Sequence, residues 1–335
     1  MSPLPARLAV AALALVLAAP AVAQPPRADA RTFREAAAYS RRHGGDALLV
    51  LRGDSVVLEE YHNGWRAEQP HFLASGTKSF VCAIAAAAVG DSLLRLDERV
   101  AATVPEIGTS AHSAPMTVRQ LLQLVGGLDP ANQTVDGSDP PNRYSAARFR
   151  SVHARPGERW AYGPTPFDLF GEVMRRKLAA TGEDPLAYLE RRVFRPIGLS
   201  YGQWLRDGAG NPLFSSGARL TAREWLKFGR LVRDGGRWDG RAVLPAEVLR
   251  ECFVGSAARP DYGLAFWLRA PDSALPEDLV FALGAAGQLL VVVPSQGLVV
   301  VRFGREHAEF RVFQLLGRLF GVDAAAPRAP GGPER

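Results

Sequence analysis

The chain has 335 residues, 47% of them hydrophobic and 22% charged, with a formal net charge of +6 at pH 7. That basic excess does not mark a nucleic-acid binder, because the arginines are spread along the chain among acids; Arg175-Arg176-Lys177 and Arg191-Arg192 read as solvated helix faces. The six histidines (His43, His62, His71, His112, His153 and His307) fall at no metal-ligand spacing, which argues against a metal hydrolase; no cofactor is implied.

Residues 1–23 read as a secretory signal peptide, with Arg7, an apolar run from Leu8 to Ala19, and Ala21-Val22-Ala23 before Gln24. Cleavage is expected after Ala23, giving a periplasmic or secreted mature chain. No cysteine follows the cleavage site, so a lipid anchor is not expected. No later segment approaches about 20 uninterrupted apolar residues, and no integral membrane segment is expected in the mature chain.

Thr32 to Arg42 reads as an amphipathic helix. Ala47–Arg52 and Ser55–Tyr61 form two apolar-rich runs around Gly53-Asp54, a hairpin signature. The chain then enters Leu73-Ala74-Ser75-Gly76-Thr77-Lys78-Ser79-Phe80, followed by an alanine-rich run from Val81 to Val89 that predicts a buried helix. From about residue 78 to 250 the signals are mostly helical. Thr117 with Gln120 and Thr221 with Glu224 form capping boxes, and Thr165-Pro166-Phe167-Asp168 starts a third helix that should end near Gly182. The Pro/Gly-rich loop from Asp129 to Asn142 is long enough to form a rim around a cleft. Strands are expected at Tyr262–Leu268, Leu279–Leu283, Leu289–Val293 and Leu298–Phe303, then a helix over Ala308–Leu319 and a disordered tail over 324–335.

Ser75 and Lys78 stand three residues apart, a spacing that places two side chains on one helix face, about 5–6 Å apart at Cβ. A serine at a helix start also has its own N–H among the unpaired donors there. Chance alone gives about 0.15 Ser-x-x-Lys matches in this composition, so the spacing is only a hypothesis until its context agrees. Only three of the forty basic residues are lysines, and lysine, unlike arginine, can give up its proton when desolvated. The competing reading is a helix-capping serine beside a lysine that reaches to solvent. Cys82 and Cys252 can pair in an oxidising compartment, or Cys82 can pack as a small apolar residue; the sequence leaves both open.

A hairpin near the start and strands near the end can share one antiparallel sheet, with the helical middle inserted. The chain resembles the beta-lactamase-related serine hydrolases: class C beta-lactamases, D-alanyl-D-alanine carboxypeptidases, esterases and 6-aminohexanoate-dimer hydrolases. The matching pieces come in the family's order: Ser75–Lys78, Leu94–Val100, Met116–Leu122, Pro156–Tyr162, Phe194–Leu199, Gly284–Gln288 and Val291–Pro294. The resemblance implies an α+β, beta-lactamase/transpeptidase-like fold. Its antiparallel sheet would be drawn from both chain ends, with a sheet lobe at about 30–72 and 258–323 and a helical lobe at about 73–257, together one domain over 24–323.

The resemblance also implies roles. Ser75 would attack an acyl carbon, Lys78 and Tyr162 would share the base task, and Tyr162 would pass the proton to the leaving group. Gly284, Ala285, Ala286, Gly287 and Gln288 would form the substrate-binding and oxyanion edge, with Ala285 or Gln288 the donor. The bland alternatives are a core tyrosine and a tight hairpin turn. Three departures matter: Pro164 stands where relatives carry Asn, the Gly284–Gln288 segment lacks the Lys-Thr-Gly or His-Thr-Gly group, and Gly126-Gly127 replaces Ser-Gly. They favour a small-molecule ester or amide substrate over a beta-lactam. A non-catalytic penicillin-binding-protein-like sensor or cell-wall module stays open. An alpha/beta-hydrolase would need a Gly-x-Ser-x-Gly elbow with a downstream acid and His, and is set aside.

Overall fold

The apolar runs from the two ends of the chain meet in one sheet. The computed structural model describes residues 26–110, 112–131 and 137–324, so the predicted signal peptide and the tail beyond Ala324 lie outside it. Helix α1 (Ala30–Arg42) starts at Asp29, whose carboxylate accepts from the Arg31 and Thr32 N–H groups. Strands β1 (Gly45–Arg52) and β2 (Ser55–Tyr61) follow as the predicted hairpin. Strand β3 (His71–Phe72) leads into a 3₁₀ turn, Ala74–Lys78, that continues directly as α2 (Ser79–Gly90).

The inserted region carries α3 (Val118–Leu122), α4 (Arg143–Ala147), α5 (Thr165–Lys177) and α6 (Pro185–Leu189). Short strands β4 (Gln203–Trp204) and β5 (Ala218–Leu220) then join β3 in a small second sheet. Next come α7 (Ala222–Arg233), the ribbon of β6 (Arg237–Trp238) and β7 (Arg241–Ala242), and α8 (Ala246–Glu251). The main sheet resumes with β8 (Trp267–Leu268), β9 (Val280–Gly284), β10 (Gln288–Val293) and β11 (Leu298–Gly304), and α9 (Val312–Phe320) closes the fold. Its order is β2-β1-β11-β10-β9-β8, antiparallel at every step, so the N-terminal hairpin pairs with the last strand. This is the α+β architecture expected.

Burial on both faces explains why β10 and β11 read as unbroken apolar runs rather than alternating ones. Leu290, Val292, Val299, Val301 and Phe303 face α2 and α7, while Leu289, Val291, Val293, Leu298 and Val300 face α1 and α9. Each fully buried Val or Leu stabilises the fold by about 1.5–3 kcal/mol over its exposed state. Helix α2 is apolar all round and buried from Ser79 to Ala88, as a core helix must be. Its alanines let neighbours approach closely: Cys82 lies with its Cα 5.9 Å from that of Cys252, and the two are joined as a disulfide.

Local expectations fared unevenly. The Thr117–Gln120 capping box forms in full. At Thr221 only half forms, because the Glu224 carboxylate accepts from Ser200 N–H and Lys227 instead. Thr165 is already helical and caps nothing, α5 stops at Lys177, and a 3₁₀ turn carries the chain on to a left-handed Gly182. The run predicted as a strand from Tyr262 forms a strand only at Trp267–Leu268, with Tyr262 folded back as an isolated bridge to Trp267, since Ala265 takes a φ of 64° that breaks an extended chain.

Candidate active site

The site is built on the turn before α2. Ala74 has a φ of 47°, a left-handed conformation costing a non-glycine residue about 1–2 kcal/mol, and the kink presents Ser75 half-buried on a turn that packs against β9. Two contacts pin the turn to β5: Leu73 N–H donates to the Ala218 carbonyl (2.9 Å) and Ala218 N–H to Thr77 Oγ1 (3.1 Å). Strain held by such contacts is a frequent mark of a functional site.

Lys78 is 5% exposed, and its Nζ lies 2.9 Å from Ser75 Oγ and 2.7 Å from the Ser215 carbonyl. Burial pulls the amine down to about 7; the Asp168 charge opposes this and the Arg143 charge reinforces it. Asp168, buried in the first turn of α5, is paired with Arg143 (Nε–Oδ2 3.2 Å), so the carboxylate's pull on the amine is offset. The rings of Tyr162 and Phe167 close round the amine, with centroids 5.0 Å and 5.2 Å from Nζ. A neutral lysine amine next to a serine hydroxyl can accept its proton.

Tyr162 sits in an aromatic cluster, stacked on Trp267 (centroids 5.9 Å, 28°) and edge-on to Tyr262 (6.2 Å, 88°). Burial pushes its phenol up, and a hydrogen bond with Ser75 only partly opposes that. Desolvation outweighs the Ser75 hydrogen bond, and this favours a protonated phenol that can donate.

The Gly284–Gln288 segment faces the Ser75 turn across β9. A Cβ on Gly284 would lie 2.1 Å from the Leu73 carbonyl oxygen and 3.0 Å from Gly76 N, so only glycine allows this approach. Ala285 is exposed and Ala286 half-buried, whereas Gln288 is buried with both ends of its amide on Gly304: Nε2 donates to the carbonyl (2.6 Å) and Oε1 accepts from the N–H (3.1 Å). Its backbone N–H is also taken, by the Ala285 carbonyl. Gln288 thus anchors the strand end.

Sequence reasoning missed Ser215, which acts through a backbone carbonyl, and the Asp168–Arg143 pair, 25 residues apart and unmarked by spacing. The absence of a Gly-x-Ser-x-Gly pentapeptide, the ground for setting an alpha/beta-hydrolase aside, also needs correcting: Gly198-Leu199-Ser200-Tyr201-Gly202 has that spacing. Ser200 lies exposed after a 3₁₀ turn ended by left-handed Gly198, with no strand before it, so this is not a nucleophile elbow. Among the described residues there is no group of His, Cys, Asp and Glu able to hold a metal ion. Among them too, no helix is long and apolar enough to cross a membrane.

Residues 28–309 match the Beta-lactamase family, and the chain belongs to it. Its relatives include hydrolases. The 6-aminohexanoate-dimer hydrolase of Paenarthrobacter ureafaciens is 24% identical over 285 residues, which cover 77% of this chain and 71% of that protein. Among solved structures, SurE with D-Leu matches with a TM-score of 0.70 at 20% identity, covering 90% of this chain and 77% of that one. A family VIII carboxylesterase matches with a TM-score of 0.68 at 16% identity, covering 87% of this chain and 96% of that one.

Proposed function

We propose that the protein is an exported serine hydrolase that cleaves an ester or amide through an acyl-enzyme on Ser75. The observation that carries this reading is a serine hydroxyl 2.9 Å from a buried amine whose pKa burial lowers to about 7. Neutral Lys78 takes the Ser75 proton as Oγ attacks the acyl carbon, with the Ser215 carbonyl holding one amine N–H and so orienting its lone pair. The oxyanion is received by the N–H of Ser75 and, since the Gln288 backbone N–H is already bonded to the Ala285 carbonyl, by that of Ala285. The proton then passes through the Tyr162 hydroxyl to the departing alcohol or amine, and water reverses the sequence to release the acid.

An esterase, or an amidase resembling 6-aminohexanoate-dimer hydrolase, fits better than a beta-lactamase. Pro164 has no side-chain hydrogen bond to hold a substrate amide, and Gly284–Gln288 carries no cation for a penicillin carboxylate. Export rests on the leader-like residues 1–23 and is supported by the Cys82–Cys252 disulfide, a bond that persists in oxidising compartments.

The test is to treat the mature protein with a fluorophosphonate, map the adduct, and follow burst hydrolysis of a p-nitrophenyl ester. Adduct on Ser75, its loss in Ser75→Ala, and turnover of an ester or amide are expected. Labelling that survives Ser75→Ala contradicts the proposal. Ser75 labelling without turnover of any ester, amide or beta-lactam would instead favour a penicillin-binding-protein-like sensor.

A further inference from the structure

The turn after β9 is strained, and the group that holds it comes from two strands away. Ala286 sits at φ 58°, ψ 17° and Gly287 at φ 73°. Arg302, on β11, projects to the α1 face of the sheet and is fully buried. Nη1 donates to the carbonyls of Ala286 (3.1 Å) and Gly287 (2.7 Å), Nη2 to that of His43 (2.9 Å), and Nε to Ser40 Oγ (3.0 Å). The Phe310 ring covers it, with the guanidinium carbon 3.8 Å from the centroid.

The fold clears room for this one group. A Cβ on Gly287 would lie 2.4 Å from Nη1, and one on Gly304 would lie 2.5 Å from it. Among the described residues no carboxylate bonds Arg302 directly; Asp46 reaches it only through space and is itself bonded to Arg305 and Asn63. Burial pulls the guanidinium down to about 10, which leaves it charged at neutral pH. A buried cation bonded to carbonyls and a hydroxyl alone is costly, and an apolar side chain would pack α1 against the sheet at less cost. What an apolar side chain could not do is hold two successive carbonyls of a left-handed turn.

We infer that Arg302 is a positioning residue for hydrolysis: by gripping the Ala286 and Gly287 carbonyls, it holds the turn in the one conformation that keeps the Ala285 N–H beside Ser75. The inference rests on the roles proposed above for Ser75 and Ala285. Gly284 fixes the near side of the turn against Leu73, and Arg302 fixes the far side. An oxyanion donor works only if it need not reorganise as charge develops, so a turn free to flip its peptides would bind substrate yet react slowly.

The experiment compares wild type, Arg302→Gln, Arg302→Lys and the double variant Arg302→Gln/Ala286→Gly, each titrated with fluorophosphonate so that kcat is counted per labelled Ser75. Arg302→Gln should lower kcat per site about 10- to 100-fold. Its KM should move by less than about threefold, since the interaction lost belongs to the transition state. Arg302→Lys should lose less, because an ammonium can reach one carbonyl but not both in the same geometry. Ala286→Gly should restore part of the loss, because glycine takes the left-handed φ without a brace. A purely structural strut would lower the melting temperature and the labelled fraction while leaving kcat per site unchanged, and that result overturns the inference, as does an Ala286→Gly change without rescue. If Arg302→Gln fails to fold, Arg302→Lys decides, and wild-type kcat per site in that variant overturns it. Wild type that neither labels nor turns over would sink the hydrolase reading itself, and the inference with it; labelled wild type with unaffected variants sinks the inference alone.

Discussion

The two turns that meet at Ser75 are built on opposite plans. The Ala74–Lys78 turn works through side chains: a hydroxyl and an amine three residues apart on adjoining helical turns, with burial depressing the amine. The Ala285–Gly287 turn offers only backbone, since its side chains are two methyl groups and a hydrogen. Under the proposed mechanism, what matters there is which peptide groups remain free and what holds them; Gln288 bonds the Gly304 main chain, and Arg302 bonds main-chain carbonyls and Ser40 Oγ. One turn is specified by what it contains and the other by what surrounds it.

Substitutions can break that contrast in a set order. The largest effect is expected from Lys78→Met, which should cut kcat/KM by about 10³-fold or more while leaving the fold intact. It should also remove a pH dependence of stability. The buried amine's pKa is lowered from 10.5 to about 7, so between those values the unfolded chain binds a proton the folded chain gives up. Wild-type stability should then rise with pH across that window by up to about 1.4 kcal/mol per unit, and chemical denaturation of the Met variant should show that slope abolished. Next comes Gly284→Ala. The added methyl must push against the Leu73 carbonyl, so the two turns separate; a loss of about 10²-fold in kcat and about 1–3 kcal/mol in stability is expected. Unchanged kcat there would mean the backbone turn takes no part in the chemistry.

The smallest effect on activity should follow from replacing both Cys82 and Cys252 with alanine. The bridge closes a span of 170 residues and ties α2 to the end of α8, away from the backbone turn. Its removal should cost about 2–5 kcal/mol by thermal or denaturant unfolding, with kcat per labelled site nearly unchanged. A large fall in kcat would instead tie α2, and hence Lys78, to the bridge.

The same contrast decides what could be read in the sequence. Ser75, Lys78 and Tyr162 could be proposed from the sequence because side-chain chemistry has residue types and spacings, and the fold brings the three together. The sheet was visible because its apolar runs are long, and the Thr117 cap because both its partners are local. Ser215 was invisible because any residue has a carbonyl. Gln288 and Ala285 stood as equal candidates for the oxyanion donor, because the Gln288 bonds to Ala285 and to Gly304, sixteen residues on, leave no mark in the sequence. The strand predicted from Tyr262 failed because a left-handed Ala265 carries no sequence mark, and Arg302 gave no signal because it reads as one arginine in an otherwise apolar strand.

The most direct measurement is the rate constant for fluorophosphonate acylation of Ser75 as a function of pH from about 5 to 10. With Lys78 as the base, the rate should climb about tenfold per pH unit on the acid side and level off above an inflection near the amine's pKa of about 7. A rate that is flat across the range, or one still rising beyond about pH 9 as for an ordinary lysine, would contradict the account.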